Sequence, residues 1–183
     1  QIKQIRKDFK YKIIKNFLSE DERILLKNYT KMFHIHNISD FDLTVASDSS
    51  DTAKYGDLLM ESLMLKKISR VQKESGLQLI PTYSYWRCYT NDSKLKKHTD
   101  RPSCEVSVSC QIDNDGVDWP FTIDGKDLLL ENGDAVLYLG IDLEHGRDPY
   151  KGDYHIQTFL HYVDKDGPHT AYAIDKRKLF GEQ

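Results

Sequence analysis

The chain has 183 residues and almost balanced charge, with 26 Lys and Arg against 29 Asp and Glu and a formal net charge of −3. A chain of this length can bury a hydrophobic core without structural metals or disulfides, so we expect one domain over residues 1–183. The lack of an extended basic cluster argues against a nucleic-acid partner, and no apolar run approaches the roughly 18 residues of a membrane span.

Residues 1–76 are predicted to be mainly helical. A short strand at residues 11–14 comes first. Ser19 and Glu22 then have the spacing of a capping box, in which each side chain accepts a hydrogen bond from the other residue's backbone amide. This pair predicts the first turn of a helix.

A second helix is predicted at residues 57–74, after a polar stretch at residues 47–52. Its apolar residues recur at helical spacing, which predicts one face packed against the rest of the protein. Gly76 suits the position just past a helix end, where the backbone often turns left-handed. We interpret both helices as support for a β-core.

From residue 77 onward the pattern is typical of strands. Alternating β-favouring residues are separated by turn signals at Asp124-Gly125 and at residues 132–134. Strands that follow helices predict an α+β protein, with an antiparallel barrel or sandwich braced by the helices. We place the β-core at residues 77–167, a C-terminal tail at 168–183, and strands at 77–90, 105–112, 119–123, 127–130, 135–139 and 155–164.

The cysteines are Cys88, Cys104 and Cys110. Their odd number and the lack of a C-x-x-C pair argue against a disulfide framework and against a thiolate zinc site. We therefore expect a reducing, cytoplasmic location.

Candidate metal ligands follow the first long strand. His98 and Asp100 are two residues apart, so on extended backbone both side chains point to one side and can reach one ion. A later histidine would complete the two-histidine, one-carboxylate set that leaves open positions on non-haem Fe(II). His145, a little past a predicted strand, is the leading third ligand, and His161 is its rival. An H-x-D triplet also arises by chance in a chain with seven histidines.

The predicted strand at residues 105–112 alternates polar and apolar side chains. Ser107, Ser109 and Gln111 share one face. Polar side chains inside a barrel cost free energy unless they are paired, so a ligand-lined interior would explain them. A solvent-facing edge strand is the alternative.

The order of these motifs resembles the prolyl 4-hydroxylase-like branch of the Fe(II)/2-oxoglutarate dioxygenases. In that branch a strand with a tyrosine leads to H-x-D, followed by an alternating strand, a Gly-Asp turn, a distal histidine and a basic residue. The resemblance covers roughly residues 77–167 and implies a double-stranded β-helix, a jelly-roll or cupin-like barrel braced by N-terminal helices. The matching segments are residues 85–89, 98–100, 107–113, 132–134, 145–147 and 155–162.

The resemblance also implies an activity. Fe(II) would be held by His98, Asp100 and His145, with 2-oxoglutarate as cosubstrate, O2 as co-reactant and ascorbate as an accessory reductant. The implied reaction hydroxylates an unactivated C–H bond of a prolyl residue in a peptide or protein, or of free proline, and releases succinate and CO2. Because Asp100 is present, hydroxylation is favoured over halogenation. A non-catalytic cupin-type barrel for a metal or small molecule is the alternative, and a zinc hydrolase is a second.

The chain departs from that branch at the cosubstrate anchor. Arg or Lys usually stands nine or ten residues after the distal histidine, but this position holds His155. Histidine is largely uncharged at pH 7. Arg147, which can offer a bidentate fork to a carboxylate, is the second candidate, and the sequence leaves the two open. The resemblance adds Tyr89, nine residues before His98, and the barrel-facing Ser109 and Gln111 complete the cosubstrate candidates.

Candidate substrate contacts flank the H-x-D triplet. Arg87 shares a strand face with Tyr85, and Arg101 follows Asp100 directly. Either arginine could meet a substrate carboxylate or a peptide carbonyl, or could be a surface ion-pair partner, which is the simpler interpretation for Arg101. Tyr85 could stack on a proline ring or pack within its strand.

Overall fold

Two antiparallel sheets and two helices account for most of the described residues, 10–39 and 51–183, of the computed structural model. The helices are α1, Glu20–Ser39, and α2, Leu58–Ser75. The strands are β1 Tyr11–Ile14, β2 Thr52–Tyr55, β3 Leu79–Thr90, β4 Leu95–His98, β5 Val106–Asn114, β6 Phe121–Ile123, β7 Lys126–Leu128, β8 Ala135–Tyr138, β9 His145–Arg147 and β10 Tyr154–Asp164.

Both helices begin where the sequence predicts. The Ser19 amide donates to the Glu22 carboxylate at 2.8 Å and the Glu22 amide donates to Ser19 Oγ at 3.1 Å, which confirms the capping box before α1. Asp57 caps α2 by accepting from two backbone amides, and Gly76 ends it with a left-handed φ of 72°. No helix in these described ranges is long and apolar enough to cross a lipid bilayer.

The two sheets face each other as a double-stranded β-helix. The major sheet has the strand order β1-β8-β5-β10-β3-β2, and the minor sheet has the order β4-β9-β6-β7. Alternate residues of the major sheet, such as Val108 and Leu160, join Met60 and Leu63 of α2 in one apolar core. The opposite face of each strand therefore points into the barrel, towards the minor sheet.

Strand β5 confirms the predicted alternation. It lies between β8 and β10 and is buried along nearly its whole length. Ser107 contacts His161 of β10 inside the barrel, while Val108 packs in the core on the helix side. The alternative of a solvent-facing edge strand is wrong.

The six predicted strands are present, with ends within two residues of prediction, but three short strands were not predicted. Strand β2 begins at the last residue of the polar stretch 47–52, of which residues 47–50 lie outside the described residues. Strands β4 and β9 are too short for alternation to show, and they are defined by pairing, β4 with β9 and β9 also with β6. Their sequence alone carries little strand signal.

The C-terminal residues 168–183 pack against β3 and α2 rather than extending from the core. Arg177 Nη2 lies 2.6 Å from Glu61 Oε1, and the two side chains are 8% and 2% exposed. The same carboxylate accepts from the Ser84 amide at 2.7 Å and from the Gly181 amide at 3.1 Å. Glu61 therefore ties the C-terminal segment to α2 and β3.

Replacing Glu61 with alanine is expected to destabilise the protein by about 3–5 kcal/mol, because the guanidinium of Arg177 is left buried without its partner. Urea unfolding measures the loss. Glu74→Ala on the same helix is the matched control, since its partners Lys12 and Arg70 are about 40% exposed and such pairs contribute roughly 0–1 kcal/mol. Equal losses in the two variants would contradict this assignment.

Candidate metal centre and active-site cavity

The three predicted ligands meet where β4 and β9 pair. His98 and His145 are direct partners in the register, and the Asp100 amide donates to the Gly140 carbonyl at 2.9 Å. The Nε2 atoms of the two histidines lie 3.1 and 3.2 Å from Asp100 Oδ1, and the three ligand atoms lie within 4.8 Å of one another. Bonds of about 2.1 Å at right angles would separate neighbouring ligand atoms by about 3.0 Å. The spacing therefore fits one divalent ion.

Both histidines present the same nitrogen to the centre. His98 Nδ1 lies 2.7 Å from the Lys96 carbonyl oxygen, and His145 Nδ1 lies 2.8 Å from that of Leu143. A carbonyl only accepts, so each Nδ1 carries a proton, and Nε2 is the nitrogen that faces Asp100 and the metal position. The backbone thus fixes both rings in a ligating orientation.

The carboxylate of Asp100 is also prepared as a ligand. Burial raises the pKa of Asp100, but the hydrogen bond from His145 and the neighbouring imidazoles outweigh it and hold that pKa below its usual value. Exposure of the ligands is uneven, since 40% of the His98 side chain is accessible but only 2% of His145. The centre is therefore open on the side of β4.

Two glycines allow the close backbone approach that the centre needs. A Cβ at Gly140 would overlap Asp100 Oδ2 and lie 2.5 Å from the Cys104 carbonyl oxygen. A Cβ at Gly146 would lie 2.7 Å from the carbonyl oxygen of Leu95 on the paired strand. Neither glycine was predicted as a site residue. The available signals were a glycine just after a buried strand and a glycine next to a candidate ligand.

A cavity of about 240 Å³ lies beside the ligand atoms, between the two sheets. Its walls are mostly aromatic, and they include the predicted contacts Tyr85, Arg87 and Tyr89. Tyr138 and Phe159 also line the cavity, and neither was predicted as a site residue. The remaining lining residues are Tyr83, Leu95, His98, Asp100, Cys104, His145 and His161.

His161 lines this cavity but lies outside the ligand set. Ser107 Oγ donates its one proton to the Cys104 carbonyl oxygen at 2.9 Å, so His161 Nδ1, at 2.7 Å, must donate to Ser107. Burial lowers the pKa of His161 to about 4, which keeps the ring neutral. The geometry brings His145, rather than this rival, to the other two ligands.

The two candidate cosubstrate anchors lie together against Trp119. The Arg147 guanidinium is 4.8 Å from the Trp119 ring centroid, and the His155 ring is 5.0 Å from it. Arg147 Nη1 donates to the Trp119 carbonyl oxygen at 2.7 Å, but buried Arg147 Nη2 and buried His155 Nδ1 have no partner among the described residues. An unpaired buried polar group costs roughly 1–3 kcal/mol, so this corner suits a polar ligand.

The two candidate anchors, Arg147 and His155, differ in charge. Burial, and then the charge of Arg147, lowers the pKa of His155 to about 3, whereas burial lowers the pKa of Arg147 only to about 10. Gln157 Nε2 donates to Ser109 Oγ at 2.8 Å, so Gln157 Oε1 accepts from His155 Nε2, also at 2.8 Å. That leaves a lone pair on His155 Nδ1. Of the two candidate anchors, Arg147 is therefore the one that carries a positive charge and has an N–H group that can donate to a ligand.

Only some of the other predicted contacts line the cavity. Tyr89 lines the cavity and packs edge-on against Trp119 with centroids 4.8 Å apart, and burial raises its pKa to about 12. Gln111 instead donates to Asn132 at 3.0 Å. Arg101 pairs with both carboxylate oxygens of Asp175, at 2.6 and 2.8 Å. Five of the predicted contacts do not line the cavity: Arg101, Ser109, Gln111, Arg147 and His155.

No protein-family model matches this chain, and no curated protein matches its sequence. Solved structures of low identity do share its fold. The viral collagen prolyl hydroxylase vCPH from Paramecium bursaria Chlorella virus-1, solved with 2-oxoglutarate, is 12% identical, with a TM-score of 0.62 over 85% of this chain and 96% of that one. A prolyl 4-hydroxylase from Pseudomonas putida is 14% identical, with a TM-score of 0.65 over 90% and 97%.

HygX from Streptomyces hygroscopicus, solved with nickel and 2-oxoglutarate, is 13% identical, with a TM-score of 0.66 over 91% of this chain and 87% of that one. These proteins share with the chain a barrel of antiparallel sheets braced by helices. The chain therefore has the double-stranded β-helix fold of the Fe(II)- and 2-oxoglutarate-dependent oxygenases.

Proposed function

We propose that this protein is an Fe(II)- and 2-oxoglutarate-dependent hydroxylase that acts on an unactivated C–H bond and releases succinate and CO2. The observation that carries the proposal is the ligand set of His98, Asp100 and His145, spaced for one ion on the wall of a cavity. The order of motifs in the sequence favours a prolyl residue, peptide-bound or free, as the target.

The donor set suits ferrous iron. Two imidazoles and one carboxylate would hold the ion and leave one face of it open towards the cavity. Bound iron and 2-oxoglutarate would supply the oxidising chemistry with O2. The protein's own part is to fix His98 and His145 through backbone carbonyls and to surround the reacting atoms with tyrosine rings that exclude water.

Anaerobic titration with Fe(II) in the presence of 2-oxoglutarate tests this function. We expect a weak visible charge-transfer absorption that needs both components, followed by succinate release when O2 and a substrate are added. A Zn(II) titration without the absorption is the blank. If Fe(II) binds but no absorption develops, the proposal fails and the non-catalytic metal-binding barrel is favoured.

Arg147 is our choice for the contact to the far carboxylate of 2-oxoglutarate. It is buried and charged, and its Nη2 has no partner in the described part of the chain, whereas the neighbouring His155 is neutral and presents a lone pair. Tyr89, which lines the cavity on the same side, would add a hydroxyl. The positive charge that binds the far carboxylate would thus come from Arg147 on β9. In the enzymes that the sequence resembles, a basic residue at the position of His155 on β10 usually supplies it.

Arg147→Met tests this choice while keeping most of the packing between Trp119 and Phe121. The wild type should bind 2-oxoglutarate more tightly than 2-oxobutyrate, which lacks the far carboxylate. The variant should lose about 10- to 100-fold of that preference, as expected for one hydrogen bond to a charged group. The apparent affinities come from the visible absorption under argon.

His155→Ala is the control for Arg147→Met. It should keep most of the preference for 2-oxoglutarate, because its ring offers no N–H to the carboxylate in this arrangement. Loss of the preference in His155→Ala together with its retention in Arg147→Met would move the anchor to β10.

A further inference from the structure

Arg87 is a partly buried arginine that the proposed chemistry leaves unused. It lies on the inner face of β3 between Tyr85 and Tyr89, and it is the one Arg or Lys among the described residues that line the cavity. About a quarter of its side chain is exposed. Its guanidinium therefore lies in the wall of the cavity that also contains the candidate metal ligands, where a substrate would bind.

Asp51 fixes the position of this guanidinium. Its Oδ2 accepts from Arg87 Nε at 2.8 Å and also from Nη2. Its other oxygen accepts from the Thr90 amide at 2.8 Å, from the Thr90 hydroxyl at 2.7 Å and from the Ser93 hydroxyl at 2.5 Å. The Asp51 carboxylate thus accepts from at least five donors of the described residues, and it binds Arg87 along one edge of the guanidinium.

Tyr89 fixes the same group from a second direction. The guanidinium carbon lies 4.5 Å from the Tyr89 ring centroid, a distance typical of cation–π stacking. With one edge on Asp51 and one face on Tyr89, the plane of Arg87 has little freedom left. A preorganised fork loses little entropy when it binds a planar anion.

Within the described residues, the outer edge of the guanidinium, formed by Nη1 and the second N–H of Nη2, has no acceptor. No described residue accepts a hydrogen bond from Arg87 Nη1. Nη1 and the second N–H of Nη2 are parallel donors, the arrangement that matches both oxygens of one carboxylate. The backbone of an interior peptide residue would offer these two donors only a single carbonyl oxygen in place of the two oxygens of a carboxylate.

The rest of the cavity suits a small apolar body. Tyr85 and Phe159 form one wall, with ring centroids 6.1 Å apart. Asp100, a candidate metal ligand, is the one acidic residue among the described lining residues. The volume of about 240 Å³ falls below the roughly 300–1,000 Å³ typical of drug-sized ligands, and the cosubstrate would share it.

Resting on the proposed function, we propose that the substrate is a small carboxylic acid with an apolar body, bound by its carboxylate to the outer edge of Arg87. The apolar body packs on Tyr85 and Phe159, and this places one of its C–H bonds towards the ligand set. Free apolar amino acids are the simplest members of this class. A residue inside a long peptide chain is not.

The test uses the full chain under argon with Mn(II) and 2-oxoglutarate, and it reads the thermal unfolding midpoint. The probes are small apolar amino acids, proline included, each paired with its primary amide, which keeps the shape but removes the carboxylate charge. We expect at least one acid to raise the midpoint more than its amide does. Arg87→Gln should remove that difference, with an affinity for the acid about 10- to 100-fold weaker.

Two further variants keep the test decisive. Arg87→Lys retains a charge beside Asp51, so it should fold even if Arg87→Gln does not, yet it cannot offer two parallel donors and should also bind the acid weakly. Arg70→Gln, in a part-exposed pair with Glu74 on α2, should behave as wild type.

Three outcomes would overturn the proposal. In the first, no acid stabilises the wild type more than its amide. In the second, Arg87→Lys keeps the full preference for the acid. In the third, the Arg87 variants lose 2-oxoglutarate itself, which would make Arg87 a cosubstrate contact. Failure of the proposed function looks different, because the wild type would then lack the Fe(II) and 2-oxoglutarate absorption.

Discussion

His145→Ala is expected to abolish the visible absorption of the Fe(II) and 2-oxoglutarate complex and, with it, succinate production. His145 supplies one of the three ligand atoms. Because its side chain is only 2% exposed, the substitution leaves a buried space, and only water could then occupy the lost ligand position. We expect Fe(II) affinity to fall by more than about 100-fold, beyond the 10- to 100-fold loss typical of removing an outer-shell partner. Anaerobic titration followed at the visible band measures the change.

His161→Ala is the matched control, because it removes a buried imidazole from the same cavity that is not among the three ligands. It should keep the absorption, although it loses the hydrogen bond to Ser107 and some stability. If His161→Ala loses the band while His145→Ala retains it, the third ligand has been misassigned.

Gly140→Ala is expected to damage the same centre without touching a ligand. The added methyl would overlap the Asp100 carboxylate and the Cys104 carbonyl oxygen, and one of these groups is backbone that cannot rotate away. We expect a stability loss of about 1–3 kcal/mol from overpacking, together with a loss of Fe(II) affinity as Asp100 is displaced. Urea unfolding and metal titration measure the two effects separately.

Gly116→Ala provides the comparison for Gly140→Ala. A Cβ at Gly116 meets nothing within 4 Å, so this variant adds the same methyl with only the strain of a φ of +90°. It should bind Fe(II) as the wild type does. Wild-type metal affinity in Gly140→Ala would show that Asp100 adjusts to the methyl, and the positioning role of Gly140 would then be wrong.

Local chemistry explains which parts of the fold could be predicted from the sequence. The capping box of Ser19 and Glu22, the Gly76 helix end and the alternation within β5 depend on residues a few positions apart, and all three are found in the structure. His98 and Asp100 belong to the same kind of pattern. Their proximity follows from two-residue spacing before any tertiary contact is considered.

What the sequence could not predict depends on partners far along the chain. Strands β4 and β9 exist through their mutual pairing, which sets His98 opposite His145. The choice between Arg147 and His155 needed the tautomer of His155, which depends on a hydrogen-bond chain through Gln157 of the same strand to Ser109 of β5. The role of Arg87 needed Asp51, which is 36 residues away in sequence.

The metal-bearing strands lie apart from the apolar core that joins the major sheet to the helices. That core contains the buried residues of α2 and of β5, and none of the three ligands belongs to it. The Nε2 atoms of both histidines already lie 3.1 and 3.2 Å from Asp100 Oδ1, so the strand pairing and the backbone bring the ligand atoms together. We therefore expect cooperative folding not to depend on iron. A redox-inert ion should then be able to take the place of iron in the folded protein, so that the choice of metal alone separates binding from turnover.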